Sequence, residues 1–308
     1  MTTPIYVLGE ALMDCVAQPD GSLRPFMGGS PFNMARAAAL RGAQVGFLNP
    51  LSTDQFGLQM RAQLERDGVQ LLANASRLPT SLAVVQITNG QPSYGFYREG
   101  IADRDYTPEQ VLSQLATGTP GVLHTGSLLL VPPEHHKVLT VLRGAKALGW
   151  TISVDVNLRP KLAADLAAYV AAVHEVAALA DWIKASDDDL ELLGFAHATR
   201  ANAATVAQSF TALGCSRVAL TFGAHGAYLV VDGQSAEQDV PTVTLMDSVG
   251  AGDTFWGNCL ADWALQPAHA AQRVDTTLRQ AMCAAAINCT RAGCQPPVYA
   301  EVLAQLQA

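Results

Sequence analysis

Charged residues are scarce in this sequence, and what the chain lacks excludes several protein classes. Only 15% of the 308 residues are charged, the formal net charge is −8, and no run of Lys or Arg occurs. Nucleic acid is therefore not expected as the main partner, since binding its phosphates needs a basic surface. No stretch of about 18 residues is apolar and free of charge, which excludes a transmembrane helix. The first residues lack the basic segment of a signal peptide, so we expect a cytoplasmic protein with no membrane partner.

Cysteine is also infrequent, and its spacing excludes the usual structural uses. No Cys-x-x-Cys pair occurs, and no cysteine has companion ligands at the spacing of a zinc site. We therefore expect free thiols in a reducing compartment. The six residues are Cys15, Cys215, Cys259, Cys283, Cys289 and Cys294.

Apolar residues, in contrast, are plentiful, and they alternate between two patterns. They make up 49% of the chain, which excludes disorder and predicts a large core. Short β-branched runs predict buried strands, and longer Ala- and Leu-rich segments predict helices. This alternation indicates an α/β fold with a mainly parallel sheet and helices on both faces. The predicted strands are 5–8, 45–48, 121–124, 152–156, 182–185 and 218–222, and the predicted helices are 31–41, 59–67, 133–148, 162–179 and 201–213.

Two segments depart from this alternation and read as β-hairpins. Residues 81–106 contain two alternating strands around Asn89-Gly90, and residues 15–26 carry the turn signal Pro19-Asp20-Gly21. Together they suggest a small β-sheet over the carboxyl end of the parallel strands, where open α/β sheets bind ligands. A lid over a binding site is one interpretation, and an insertion without function is the other.

The clearest chemical signal is the run from Asp247 to Gly257, which opens an apolar helix. Small residues at Gly250, Ala251 and Gly252 leave backbone N–H groups exposed at the helix start, where they can hold an anion. Asp253 would then face that anion and could accept a proton from an attacking hydroxyl. Alternatively, Asp253 only caps the helix.

A second glycine pair precedes the first predicted helix. In Gly28-Gly29-Ser30-Pro31-Phe32-Asn33, Ser30 suits the N-cap and Pro31 the first helical position. An ordinary capped helix explains these two residues but not the glycines. Backbone at Gly28 and Gly29 could approach a ligand closely, and the Asn33 amide could bind sugar hydroxyls.

Polar residues also follow three predicted strands. Asp14 comes after the first strand and could bind a pair of sugar hydroxyls, or could be a solvated loop residue. In Asp155-Val-Asn157-Leu-Arg159, the arginine at a strand end suits a phosphate or carboxylate.

The third of these segments, Thr221-Phe-Gly223-Ala-His-Gly226, joins two late strands. Its glycines let backbone approach a nucleotide, although a tight turn is equally consistent with them.

Taken in order, the motifs Gly28-Gly29-x-x-x-Asn33, Asp155-x-Asn157-x-Arg159, Thr221-x-Gly223-x-x-Gly226 and Gly250-Ala-Gly-Asp253 resemble the ribokinase-like, or PfkB, family of sugar kinases. The resemblance extends from Gly9 to about Pro297. Within the family, the opening Gly9-Glu10-Ala-Leu-Met-Asp14 and the stretch from Phe96-Tyr97-Arg98 through Ala102-Asp103 are similar to the bacterial fructokinases.

The resemblance implies a three-layer α/β/α sandwich over residues 1–308 as one kinase domain, with lid strands inserted at about 15–27 and 81–106. It implies transfer of a phosphoryl group from ATP to a sugar hydroxyl, with D-fructose converted to fructose 6-phosphate. Asp253 would be the general base and the amides of Gly250, Ala251 and Gly252 the anion hole. The implied sugar-binding residues are Asp14, Gly28, Gly29, Asn33, Phe96, Arg98, Asn157 and Arg159, and the implied nucleotide-binding residues are Ser186, Thr221, Gly223, Gly226 and Asn288.

The ion sites implied by the family are less regular in this chain. The family's Asn-x-x-Glu motif appears as Ser186-Asp-Asp-Asp189. The resemblance implies Mg²⁺ bound through water near Asp189, and K⁺ near Asp247 and the Ala292-Gly293 turn.

Other readings of substrate, activity and assembly remain open. The nearest alternative is a 2-keto-3-deoxygluconate kinase, although Phe96, where those kinases tend to present Tyr, favours a neutral sugar. A catalytically silent scaffold protein is another alternative, but it would be expected to lose Asp253 or the glycines before it. An exposed lid edge would favour a homodimer.

Overall fold

The computed structural model describes residues 2–88 and 91–307. The strands are β1 (Ile5–Val7), β2 (Leu12–Ala17), β3 (Leu23–Gly28), β4 (Val45–Phe47), β5 (Val69–Leu71), β6 (Ser81–Thr88), β7 (Gln91–Tyr97), β8 (Val122–Gly126), β9 (Thr151–Asp155), β10 (Trp182–Ser186), β11 (Arg217–Thr221), β12 (Ala227–Val231) and β13 (Gln234–Gln238). The helices are α1 (Ser30–Leu40), α2 (Gln55–Arg66), α3 (Pro108–Thr117), α4 (His135–Ala147), α5 (Leu166–Ala177), α6 (Asp187–Leu192), α7 (Ala203–Ala212), α8 (Ala251–Leu265), α9 (Val274–Cys289) and α10 (Tyr299–Gln307).

Nine strands form the main sheet, in the order β13-β12-β11-β10-β9-β8-β1-β4-β5. The seven strands from β11 to β5 pair in parallel, and β12 and β13 add an antiparallel edge. A parallel sheet needs both faces covered, and two apolar cores do this here. One core packs α1, α2, α8 and α9 on the sheet, and the other packs α3, α4, α5 and α7. The predicted three-layer α/β/α sandwich is confirmed.

The four remaining strands form a separate sheet in the order β3-β2-β6-β7, which we call the lid sheet. The turn between β2 and β3 is closed by a backbone hydrogen bond from Gln18 to Ser22, around the predicted Pro19-Asp20-Gly21 signal. The strand pair begins at Leu12, three residues earlier than predicted. The predicted Asn89-Gly90 turn lies outside the described residues.

Every strand and helix predicted from the sequence has a counterpart in the structure, with ends shifted by a few residues. Four helices, α3, α6, α9 and α10, and the two strands β5 and β13 were not predicted. None of the helices in the described part of the chain combines the length and the apolar character needed to cross a membrane. The six cysteines are free, as predicted.

Candidate active site

The start of α8 presents unpaired backbone donors at the carboxyl end of the sheet. Gly250 has φ 74°, and a Cβ there would lie 2.2 Å from Cys294 Sγ, so only glycine fits. Ala251 N–H bonds to Ser248 O, but within residues 2–88 and 91–307 no backbone acceptor serves the amides of Gly252 and Asp253. Together with the dipole of a 15-residue helix, these amides form an anion-binding site.

The Asp253 side chain does not cap the helix that it opens. Gly250 occupies the N-cap and no side chain caps this end. Instead, Asn33 Nδ2 donates to Asp253 Oδ2 at 2.9 Å, which joins the start of α1 to the start of α8. Burial raises the pKa of Asp253, while hydrogen bonds from Ser30 and Asn33 and the charges of Lys184 and Arg159 lower it. The result is a buried carboxyl group beside an anion site, an arrangement suited to proton transfer.

A buried lysine lies beneath this anion site. Lys184 lies on β10, and its Nζ donates to both carboxylate oxygens of Asp155 at 2.8 and 2.9 Å. A Cβ at Gly252 would lie 3.2 Å from the same Nζ, so the cation lies directly against the first turn of α8. Sequence reasoning did not single out Lys184, although a lysine inside an apolar strand was a usable signal.

The glycine pair before α1 accommodates close contacts within the chain. The helix begins at Ser30 with Gly29, φ 102°, as the N-cap, and not with Ser30 as predicted. A Cβ at Gly29 would lie 2.6 Å from Glu10 O, and one at Gly28 would lie 2.1 Å from Asp14 Oδ2. Both glycines therefore allow the loop after β1 and the lid sheet to meet the start of α1.

Asp14 lies in lid strand β2 and not, as predicted, at the end of a core strand. Its carboxyl group is close enough to Arg159, Asp253 and Asp247 for their charges to act on it. Burial raises the pKa of Asp14 to about 6, Arg159 lowers it, and the two acids raise it. The structure thus brings Asp14, Asp253 and Arg159 into one electrostatic cluster.

Arg159 and Asn157 are placed together after β9. Asn157 has φ 37°, and Arg159 Nη1 donates to Asn157 Oδ1 at 2.7 Å and to Leu158 O at 3.0 Å. Arg159 itself is exposed and forms no ion pair within the described chain.

The two predicted lid residues have different surroundings. Phe96 packs against the small apolar cluster of Leu12, Ala83 and Leu128. Arg98 Nη1 donates to Asp103 Oδ2 at 3.0 Å and to Ser81 Oγ at 2.9 Å. The guanidinium is therefore largely buried and already paired, whereas it was predicted to reach the sugar.

The Ser186 segment begins α6 with a capping box. Ser186 N and Oγ both donate to Asp189 Oδ2, at 2.8 and 2.7 Å, and Leu158 N donates to Asp189 Oδ1 at 2.7 Å. Asp189 is buried and ties α6 to the loop that carries Asn157. Its water-mediated contact with Mg²⁺ remains a prediction, but in this geometry its oxygens hold the chain.

The predicted nucleotide loop joins β11 to β12. Thr221 ends β11, Gly223 and Gly226 have φ of 51° and 90°, and a Cβ at Gly226 would lie 2.1 Å from Gln238 O. The loop therefore requires glycine at this position. A cavity of about 720 Å³ adjoins it and is lined by Asp187, Phe222, Ala224 and His225 among others.

Asn288 is bonded to the chain itself, and its place beside the adenine stays a prediction. Its side chain is fully buried in α9, its Nδ2 donates to Val249 O at 2.8 Å, and its Oδ1 accepts from Gln295 N at 2.8 Å. It therefore holds the loop before α8. Asp247 also stabilises this loop, because its carboxylate oxygens accept hydrogen bonds from Val249 N at 3.0 Å and Gly293 N at 2.8 Å.

Comparison with known proteins agrees with this geometry. Residues 2–300 match the family described as pfkB family carbohydrate kinase. A fructokinase of Rhizobium leguminosarum bv. trifolii is 30% identical over 262 residues, covering 83% of this chain and 78% of its own. A 2-dehydro-3-deoxygluconokinase of Bacillus subtilis is 27% identical over 236 residues, covering 74% and 71%. The crystal structure of a fructokinase from Xylella fastidiosa with bound ATP superposes with a TM-score of 0.83 at 27% identity and covers 100% of this chain and 99% of its own. A match over nearly the whole chain shows that this protein belongs to the pfkB family of carbohydrate kinases and is a sugar kinase.

Proposed function

We propose that this sugar kinase transfers the terminal phosphoryl group of ATP to D-fructose and releases fructose 6-phosphate and ADP. The observation that carries the proposal is the buried Asp253 carboxyl group beside the open amides of α8, held by Asn33 from the sugar side. Relatives of similar length include a fructokinase and a fructokinase crystallised with ATP.

In the proposed reaction, the attacking hydroxyl of the sugar gives its proton to Asp253 as its oxygen forms a bond to the terminal phosphorus of ATP. The bond between that phosphorus and the oxygen of ADP breaks, and ADP leaves with the bonding electrons. The amides of Gly250, Gly252 and Asp253, with the charge of Lys184 behind Gly252, would stabilise the transferring phosphoryl group. The amide of Ala251, also predicted as a donor, is already bonded to Ser248 O.

The sugar would lie between the lid sheet and the strand ends. Asp14 and Asn33 are proposed to bind its hydroxyls, with Asn157 and Arg159 beside them and Phe96 on the lid. Gly28 and Gly29 would bring backbone to the sugar, and Arg98 would support the lid. Ser186, Thr221, Gly223 and Gly226 would line the path of the nucleotide, with Asn288 holding the loop before α8.

No cluster of three or more metal-ligating side chains occurs within the described ranges, and Asp189 accepts three hydrogen bonds from the chain. These residues do not fit a metal held by the protein itself. Mg²⁺ prefers phosphate oxygens and water, so we propose that it enters with ATP. K⁺ beside Asp247 is proposed only from the family resemblance.

The charge pattern favours a neutral sugar over a sugar acid. Arg98 is paired with Asp103, and Asp14 and Asp253 make the sugar side acidic. One observation favours the alternative, 2-keto-3-deoxygluconate: the exposed Arg159 forms no ion pair within residues 2–88 and 91–307 and could bind a carboxylate.

The test is ADP release with Mg-ATP and a panel of fructose, 2-keto-3-deoxygluconate, ribose, adenosine and glucose. We expect fructose to be turned over fastest. Asp253→Ala should lower kcat by about 10²–10⁴-fold, the range of general-base catalysis, and keep the fold because Gly250 sets the helix start. Asp275→Ala, an exposed acid in the first turn of α9, is the matched control. Turnover of the keto acid alone would reassign the substrate, and equal rates in wild type and Asp253→Ala would refute the mechanism.

A further inference from the structure

We propose that Glu10 is a positioning residue for sugar binding, which holds the start of α1 and is the anchor onto which Arg98 of the lid closes. This inference rests on the proposed function, because it concerns the same sugar site. Glu10 lies between β1 and β2 and is only 1% exposed, so it acts through its neighbours and not by touching the sugar.

The first contact of Glu10 is with α1. Ser30 N donates to Glu10 Oε1 at 3.1 Å, and Gly29 packs against the Glu10 carbonyl group. Asn33, one turn further along α1, donates to Asp253. Glu10 therefore fixes the helix end that carries both the glycine pair and the partner of the proposed base.

The second contact of Glu10 is electrostatic and reaches the lid. The pKa of Glu10 is raised to about 7, mainly by burial. The charge of Asp103 also raises this pKa, whereas the charge of Arg98 and the Ser127 hydroxyl lower it. The charge of Glu10 also raises the pKa of Tyr169, which faces it from α5. Arg98 thus has two carboxyl groups near it, Asp103 at hydrogen-bond distance and Glu10 without a direct bond.

An unpaired donor and an unpaired acceptor remain in this cluster. Glu10 Oε2 and Arg98 Nη2 are both buried, and neither has a hydrogen-bond partner within the described residues. Leaving such groups unpaired is costly, so a second arrangement that joins them is favoured. Because Arg98 follows lid strand β7, an inward movement of the lid on sugar binding would bring its guanidinium towards Glu10.

The frame around Glu10 is rigid enough to keep it in place for that contact. Asn49 Oδ1 accepts from Gly9 N at 2.6 Å, and Asn49 Nδ2 donates to Asp103 O at 2.8 Å. The residue before Glu10 and the main chain of Asp103 are therefore tied to one core side chain.

Two variants separate the two contacts. Glu10→Gln keeps an acceptor for Ser30 N but replaces the charged acceptor for Arg98, and we expect the sugar KM to rise about tenfold, the usual effect of one hydrogen bond to a charged group. Glu10→Leu removes both contacts and should raise it by about 100-fold. In Glu10→Gln, which keeps the contact with α1, kcat and the ATP KM should change less than about threefold. Asp181→Asn, at a half-buried acid paired with Lys146 at the amino ends of β9 and β10, is the control and should leave the sugar KM unchanged.

A double variant tests whether the effect passes through Arg98. In an Arg98→Met background, Glu10→Gln should add nothing to the sugar KM, because the two residues act as a pair. Independent, additive effects in this cycle would overturn the proposal. A parallel rise of the sugar and ATP KM values would overturn it as well, since that pattern indicates general loosening of the fold.

A readout without substrate separates this inference from the proposed function. Amide hydrogen exchange at residues 29–33 should be faster in Glu10→Leu than in wild type and unchanged in Asp181→Asn. If the wild-type protein turns over no sugar, the proposed function fails, while faster exchange would still support the hold of Glu10 on α1. Unchanged exchange in Glu10→Leu would refute that hold. If Glu10→Leu does not fold, Glu10→Gln still decides the contact with Arg98.

Discussion

Asp14 lies among charges of both signs, and this setting determines the pH at which it can bind a hydroxyl. Its neighbours are the cation Arg159 and the acids Asp253 and Asp247. Burial has the largest effect and raises its pKa to about 6. A carboxylate accepts hydrogen bonds from sugar hydroxyls better than a neutral carboxyl group does.

We therefore predict that the sugar KM rises as the pH falls through about 6, because Asp14 becomes protonated there. The contribution of Asp14 to stability changes with pH in the direction opposite to that of a salt-bridged acid. With its folded-state pKa above the ordinary 3.8, Asp14 stabilises the fold most at low pH and loses this contribution between 3.8 and about 6. Initial rates over pH 5–8 measure the KM profile. Asp14→Asn should raise the KM and flatten its pH dependence, and an unchanged profile in that variant would assign the titration to another group.

The Lys184–Asp155 pair supports the anion site from below, and it is fully buried. We predict that Lys184→Met lowers the free energy of unfolding by about 3–5 kcal/mol, because it leaves the Asp155 charge buried without a partner. The double variant Lys184→Met/Asp155→Asn should recover part of this loss. Urea denaturation of wild type, Lys184→Met, Asp155→Asn and the double variant measures the coupling between the two residues. A double variant less stable than Lys184→Met would contradict this explanation.

At the residue scale, the sequence predicted which residues come together at the site better than it predicted their contacts. Asp253 and Asn33 were both chosen, but their bond joins positions 220 residues apart and depends on how α1 packs against α8. Arg98 and Asn288 are predicted to contact ligands, and the structure adds bonds of both with the chain itself that the sequence did not predict. A side chain's partner is a tertiary property, and no local pattern encodes it.

Four helices are joined by one buried ionic cluster behind the site. Asp262 of α8 accepts hydrogen bonds from Arg41, Arg273 and Thr277 at 2.6–2.8 Å. Arg41, which follows α1, also donates to Gln280 of α9 and lies over the ring of Tyr299 in α10. The cluster fixes α1 and α8 relative to each other, and these helices carry Asn33 and Asp253.

We predict that Asp262→Ala lowers the free energy of unfolding by about 3–5 kcal/mol, since it leaves buried Arg41 unpaired. Burial alone would raise the pKa of Asp262, but hydrogen bonds from Arg273 and Thr277 and the charges of Arg273 and Arg41 lower it overall. Its stabilisation is therefore present above the unfolded pKa and lost as the pH falls through the lower folded pKa. Thermal unfolding of wild type and Asp262→Ala at pH 7 and in acid measures this difference in stability. Glu65→Gln, in the exposed pair with Arg61, should change stability by less than about 0.5 kcal/mol.

At the element scale, periodicity predicted most of the buried strands and of the helices that cover them, because burial forces an apolar pattern, but it missed α9 and β5. The unpredicted elements have weaker patterns. Helix α6 has only six residues, and three of them are aspartates, so no apolar periodicity marks it. Strand β13 is a largely exposed edge strand. Such elements form because of neighbours that are distant in sequence.

At the scale of the whole molecule, the lid sheet has two open edges, β3 and β7. Each edge strand contains a proline, Pro25 or Pro92, which cannot donate to a neighbouring strand. Continuous pairing of two lid edges is therefore disfavoured. A homodimer, which the sequence led us to expect through an exposed lid edge, would therefore have to form through a different surface.

The register of the lid sheet supplies that surface. Asp14 pairs with Ala83 and Ala83 with Phe96, so these three share the face toward the site. Neighbouring Tyr97 lies on the opposite face, as does Leu23, which pairs with Ala17. Tyr97 is 65% exposed and Leu23 is 50% exposed, so this outer face presents apolar surface.

We therefore predict a homodimer that packs through the outer face of the lid sheet, because burying exposed aromatic and aliphatic side chains drives association. Light scattering should report twice the 32.5 kDa mass of the chain. Tyr97→Asp should shift the mass to the monomer, while Leu213→Asp, at an equally exposed leucine beyond α7, should not. A dimer that persists in Tyr97→Asp would move the interface elsewhere, and a wild-type monomer would mean that the lid acts without a partner. Because Phe96 and Tyr97 are adjacent on opposite faces, a lid held by a dimer partner would also hold the wall of the sugar site.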